Sequence, residues 1–215
     1  MIEKYKYHIK VEGNSQLFDE KHGFKDIDYS NLIELYKDDG YIPYAQYLRT
    51  NLWKTKRLEI LDRDNFLCQK CGAYNTVLRQ NKTGEIVLEW SDVVAIFWTD
   101  TSGQERVSSL SRPQGLPQKP YNLQVHHKKY IVNRLPWDYD NEDLVTLCNY
   151  CHIEEHNHNH ISIYDEYGKL IVDNPDCSRC GGTGYIPEYR HVQNGICFKC
   201  GGTGFDVQLV NKKLK

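Results

Sequence analysis

Residues 123–156 read LQVHHKKYIVNRLPWDYDNEDLVTLCNYCHIEEH. Leu123 and Val125 alternate with polar neighbours, the pattern of a half-buried strand, and this strand runs into two adjacent histidines, His126 and His127. LVTL at 144–147 reads as a second short strand. NYCHIEEHNHNH after it has the length and polarity of a short helix that starts inside the Cys148/Cys151 turn. His152 and His156 stand four apart, so on a helix they share one face and can bind one cation together. In a regular strand His126 and His127 point to opposite sides. At an irregular strand end both reach one site, one as a ligand and the other as a free base. That division suits hydrolysis, because a cation stabilises charge developing on a phosphoryl group while a neutral imidazole, pKa about 6.5, takes a proton from water.

The cysteines extend the pattern along the chain. All eight fall in C-x2-C pairs, Cys68/Cys71, Cys148/Cys151, Cys177/Cys180 and Cys197/Cys200. The last two pairs belong to a repeat of period 20, CSRCGGTGYI at 177 and CFKCGGTGFD at 197, and their equivalence predicts one shared zinc ion. By elimination Cys68, Cys71, Cys148 and Cys151 share a second. Both sites are expected to be closed and structural. A redox reading would need a βαβ context, which the pattern lacks. With 215 residues and 40% apolar content, the chain falls a little below the average globular composition of about 45–50%, so bound metal is expected to take over part of the work of a core. The start, MIEKYKYHIK, has no apolar signal-like stretch, and the run VVAIFW at 93–98 is too short to cross a membrane. A cytoplasmic location with reduced thiols and no membrane partner is the expectation.

Before Cys68, YKYHIKVE at 5–12 reads as a strand, 28–37 as a short helix stopping at Gly40, and PYAQYLRT as another helix opened by Pro43. A longer helix capped by Thr50 or Asn51 carries Leu52, Trp53, Lys56, Arg57, Ile60 and Leu61 before RDN breaks it. Between Cys71 and His126 lie 54 residues, in which EIVLEW and VVAIFW read as the strands of one inserted hairpin, followed by the Pro/Gly/Ser-rich connector SSLSRPQGLPQKP. ISIY and KLIV form a further hairpin. His8, His22, His158, His160 and His191 read as surface residues.

The motifs WKTKRLEILDRDNFLCQKCG, VHHKKY and EDLVTLCNYCHIEEH, in this order over roughly 52–160, resemble the HNH endonuclease family with its ββα-metal fold. The resemblance implies His127 as general base and His126 and His152 as ligands of one catalytic divalent cation, Mg, Mn or another, with His156 as a further ligand or phosphate contact. The family's middle Asn stands nine residues before the His after the second cysteine pair, where this chain has Asp143. Asp143 is expected to hold the loop through hydrogen bonds or to ligate a hard cation. The C-terminal C-x2-C-x-G-x-G repeats are similar to the cysteine-rich region of DnaJ-type chaperones, which implies a shared zinc hairpin. The implied fold is α+β: a ββα-metal finger with structural zinc, short N-terminal helices and a separate, small, β-rich zinc-ribbon-like C-terminal module. In segments this gives an extension at 1–49, the nuclease-like domain at 50–160 with an inserted hairpin at about 75–119, a connecting hairpin at 161–172, a four-cysteine zinc finger at 173–206 and a basic tail at 207–215.

Formal net charge is −2, which alone does not advertise a nucleic-acid partner. Its distribution says more. Lys119–Arg134 holds four bases and no acids, and Asp138–Glu166 eight acids and no Lys or Arg. Lys128, Lys129 and Arg134, extended by Lys56 and Arg57 on the long helix, are the expected phosphate contacts to DNA. Three functions remain open at this level: a metal-dependent endonuclease, a nucleic-acid-binding zinc protein that does not cut, and a DnaJ-like zinc module for protein interaction.

Overall fold

The structure is a computed structural model that describes residues 10–12, 27–38, 42, 44–91, 95–109, 113–159, 161–171, 175–189, 195, 197–200 and 202–206. Gly40, Pro43, the basic tail at 207–215 and His8, His22, His160 and His191 lie outside the described residues. The class is mixed α+β, with few helices and small sheets. In chain order the elements are β1 (Lys10–Glu12), α1 (Tyr29–Leu35), α2 (Tyr44–Tyr47), α3 (Asn51–Arg63), β2 (Thr76–Gln80), β3 (Ile86–Trp90), β4 (Ala95–Thr99), β5 (Glu105–Ser109), β6 (Leu123–His127), β7 (Lys129–Ile131), β8 (Leu144–Cys148), α4 (Asn149–His158), β9 (Ser162–Tyr164) and β10 (Leu170–Ile171). They divide into two compact units, one of Met1–Lys25, Thr55–His126 and Val145–Cys151, the other of Asp26–Lys54, His127–Leu144 and His152–Lys215.

In the first unit, α3 buries Leu58, Ile60 and Leu61. Its exit is abrupt because Asn65 and Phe66 both take left-handed φ values, 55° and 54°, which turn the chain into the Cys68 knuckle. Burial of the Phe66 ring offsets that strain. Asp64, 7% exposed, then acts as a clasp: its carboxylate accepts the Thr146 amide at 2.8 Å and pairs with Arg63 through Nε, also at 2.8 Å. The Gln69 amide donates to the Thr146 carbonyl at 2.9 Å, so β8 is fastened to the first knuckle from both sides. β6 pairs with β8, and α4 follows β8 without a break.

The interval after Cys71 departs from the expected single hairpin. β2 pairs with β3 (Leu78 opposite Leu88) and β4 with β5 (Phe97 opposite Val107), so EIVLEW and VVAIFW belong to two different hairpins, and β1 adds to the outer edge of β4. The turn chemistry is the physical reason. Asn81 Oδ1 accepts the amides of Thr83 and Glu85, and Asp100 Oδ1 accepts those of Ser102 and Gln104, so each Asx side chain closes its own reversal before a left-handed glycine, Gly84 or Gly103.

The second unit forms around Leu32, Ile42, Tyr44, Tyr47, Tyr130, Leu135, Ile161, Ile163 and Phe205. Asp28 caps α1, accepting the Ser30 amide, and the Thr50 hydroxyl, one of the two caps expected for the long helix, does the same for Trp53 at the start of α3. β9 and β10 form the expected antiparallel pair, to which β7 adds in parallel with Tyr130 opposite Ile163.

The C-terminal cysteine module belongs to the second unit, and among its described residues it is not β-rich. Its described residues carry an isolated bridge, Asp176 to Phe205, and a short 3-10 turn at Pro187–Tyr189, and Phe205, 3% exposed, belongs to the core of the second unit. An aromatic ring that follows the last knuckle buries more apolar area there than the module could offer it alone.

Candidate metal centres

Two cysteine tetrads, Cys68/Cys71/Cys148/Cys151 and Cys177/Cys180/Cys197/Cys200, each bring four sulfurs within 4.8 Å of one another, and each can hold a zinc ion. The separations are diagnostic. Cys71 and Cys148 Sγ are 3.7 Å apart, Cys177 and Cys197 3.8 Å, and Cys180 and Cys200 3.7 Å. A tetrahedron with Zn–S bonds of about 2.3 Å has edges of about 3.8 Å, whereas a disulfide needs about 2.05 Å. In the first tetrad the hydrogen bond from Cys148 pulls the Cys68 thiol down to about 4, so a thiolate is already favoured there.

The two knuckles of the second tetrad hold each other reciprocally. The Cys177 amide donates to the Gly204 carbonyl at 2.8 Å and the Cys197 amide to the Gly184 carbonyl at 2.9 Å. The Gly184 amide points to Cys180 Sγ at 3.2 Å and the Gly204 amide to Cys200 Sγ at 3.4 Å. The glycines are required by space as well as by φ. A Cβ on Gly184 would lie 2.3 Å from the Gly202 carbonyl oxygen, and one on Gly204 would lie 2.2 Å from that of Gly182.

A third group is made of imidazoles. In the second unit His152 and His156 each offer one ring nitrogen, and these atoms lie within 4.8 Å of one another. His126 is buried near the end of β6 at 3% exposure. His152 and His156 are half-buried one turn apart on α4, with ring centroids 4.6 Å apart. Burial pushes His152 down to about 3 and His156 down to about 4, the first helped by the neighbouring His156 and His127. Both are therefore neutral near pH 7, the form in which imidazole binds a cation.

His127 is held differently. Its Nε2 lies 3.2 Å from the Pro136 carbonyl, and since a carbonyl only accepts, the proton sits on Nε2 and the lone pair on Nδ1. Trp53 stacks on the ring at 5.1 Å between centroids and Tyr130 at 5.4 Å, while Tyr139 meets it edge-on at 4.7 Å. Burial drives its pKa down to about 4, partly opposed by the Pro136 bond and the Asp143 charge.

The Asp143 carboxylate pairs with Lys129 Nζ at 2.8 Å, and its carbonyl accepts the Lys128 amide at 2.8 Å. The basic track along α3 is shorter than the sequence suggested. Lys56 is 8% exposed, and the Arg57 guanidinium donates to the Leu123 carbonyl at 2.9 Å, its pKa lowered to about 10 by burial. Lys128 is exposed and bonds a neutral carbonyl, that of Glu142, and Arg134 lies over the Tyr139 ring at 5.6 Å. His158 is exposed, as expected. The sequence reading missed the two groups that orient histidines, the carbonyl of Pro136 and the backbone of Gly182, which hydrogen-bonds the His156 ring. Backbone groups carry no residue-type signature. No helix among the described residues is long and apolar enough to cross a membrane. No family model matches the chain, and neither curated proteins nor solved structures give a match.

Proposed function

We propose that this protein is a metal-dependent HNH-type endonuclease that hydrolyses phosphodiester bonds in DNA. The observation that carries the reading is the pair of ring nitrogens of His152 and His156, within 4.8 Å of one another one turn apart on α4, in the unit that also holds His127 with its fixed tautomer; His126 is the third ligand that the resemblance implies. His152 and His156 are neutral imidazole donors, which fit a divalent transition ion better than Mg2+. Such an ion, when bound, stabilises negative charge on the phosphoryl oxygens and on the leaving oxygen. His127 accepts the proton of the attacking water at Nδ1, and the Pro136 carbonyl steadies the resulting imidazolium at Nε2. Asp143 positions the loop through Lys129, and Lys128 supplies a phosphate contact.

The test is nicking of supercoiled DNA with Mg2+, Mn2+, Ni2+ or Zn2+ added to the zinc-loaded protein. His127→Ala is expected to lower the rate by about 10²–10⁴-fold with both structural zinc ions retained. Equal cleavage by the variant, or none by the unsubstituted protein with any of these ions, would sink the reading. The aromatic enclosure of His127, 4% exposed, favours a second reading, a zinc protein that binds DNA without cutting it. Salt-dependent DNA retention without nicking is its signature.

A further inference from the structure

We propose that the C-terminal cysteine module is the positioning element of the histidine centre, with the Gly182 carbonyl orienting the His156 imidazole for metal binding. The inference rests on the metal-centre reading above and adds to it a part of the chain that the resemblance leaves outside the site.

The contact is close. The Gly182 backbone hydrogen-bonds the His156 ring. The Nδ1 edge is the one against this turn: a Cβ built on Gly204 would stand 3.4 Å from His156 Nδ1 and 2.2 Å from the Gly182 oxygen. One carbonyl, one glycine and one ring edge thus share a space with no room for a methyl group. The bond places the proton on Nδ1 and directs the Nε2 lone pair to the opposite side of the ring. Ligating histidines in general need such a partner, which fixes tautomer and ring orientation and raises ligand basicity.

The cysteine tetrad keeps that carbonyl in place. Gly182 lies between Cys180 and Gly184, whose amide points back to Cys180 Sγ at 3.2 Å, and the Thr183 hydroxyl bonds the Cys180 carbonyl at 2.8 Å. Zinc in the tetrad would fix the turn, the turn fixes the carbonyl, and the carbonyl fixes the ring.

A second left-handed glycine supplies the matched variant. Gly204→Ala drives a methyl into the Gly182 carbonyl at φ +84°, whereas Gly84→Ala, at φ +88° in the turn between β2 and β3, meets the end of the Gln80 side chain at 3.7 Å. Full-length protein carrying both zinc ions is titrated with Ni2+ by calorimetry, and zinc content is measured in parallel. Gly204→Ala is expected to weaken Ni2+ binding by about 10–100-fold while keeping two zinc ions, and Gly84→Ala to leave the affinity unchanged. Equal affinities in the two variants, whether both unchanged or both weakened, would overturn the proposal. Absence of Ni2+ binding by the unsubstituted protein would overturn the metal-centre reading with it, so the two failures are distinguishable. Should Gly204→Ala lose zinc or fail to fold, nitrogen NMR of the unsubstituted, zinc-loaded protein decides: a His156 proton on Nδ1 supports the proposal, and one on Nε2 overturns it.

Discussion

The two cysteine tetrads present the same four donors and are assembled in opposite ways. In the first, Cys71 and Cys148 come from segments 77 residues apart, and a buried carboxylate joins them beside the Gln69–Thr146 backbone bond: Asp64 clasps Thr146, Arg63 clasps Asp64. In the second, Cys177 and Cys197 are 20 residues apart, and the knuckles hold each other by backbone groups, amide to carbonyl in both directions, with a side-chain bond from Lys199 Nζ to the Ser178 hydroxyl at 2.6 Å. Loop-closure entropy grows as the logarithm of loop length, so a metal closing the longer loop constrains the unfolded chain by about 1 kcal/mol more. The difference teaches that a tetrad's composition says a metal can bind, while its sequence span and packing say what the metal holds together.

Metal removal is the strongest way to break the comparison. Cys148→Ser and Cys197→Ser are each expected to lower zinc content from two ions to one, and because structural zinc contributes on the order of 10–16 kcal/mol of apparent binding free energy, each should abolish cooperative thermal unfolding of the unit it serves. Circular dichroism melts with metal analysis check this; a variant that keeps both zinc ions and its melting transition would contradict the assignment. Next in size is the asymmetry inside the repeat. Phe205 is in the core whereas Tyr185, its counterpart in the first copy, is half-buried, so Phe205→Ala should cost about 3–5 kcal/mol in urea denaturation and Tyr185→Ala distinctly less. Equal costs would mean that the two copies dock alike. Smallest is the clasp of the first tetrad: Asp64→Ala leaves the Thr146 amide without its acceptor and should cost about 1.5–3 kcal/mol, with zinc content unchanged.

The same contrast explains what was legible in the sequence. The 20-residue repeat announced the second tetrad because its partners are local and nearly identical, and the four-residue spacing of His152 and His156 placed both on one face of α4. The first tetrad was legible only by elimination. The two hairpins were misjudged because β2 (TVLRQ) and β5 (ERVSS) are mostly polar, and the apolar runs EIVLEW and VVAIFW drew the pairing to themselves, although the turn residues Asn81–Gly84 and Asp100–Gly103 held the correction. Lys56 and Arg57 looked like a basic track because charge says nothing about direction, and α3 turns both inward. What could not be read at all was the work of the Pro136 carbonyl and the Gly182 backbone, since every residue has these groups and only the fold decides which of them meets an imidazole.

The mutual contacts of Gly184 with Gly202 and of Gly204 with Gly182 have the form of an isologous interface, in which each partner presents to the other the patch it receives. Two-fold dimers are built this way, and here the arrangement is contained in one chain. Neither copy is a folding unit by itself: each lacks two of the four sulfurs and the carbonyl that its first cysteine amide needs. Such an element is gained or lost whole. A chain that kept only one copy would retain an incomplete interface in search of its twin, and the shortest route to a complete one would be a second molecule.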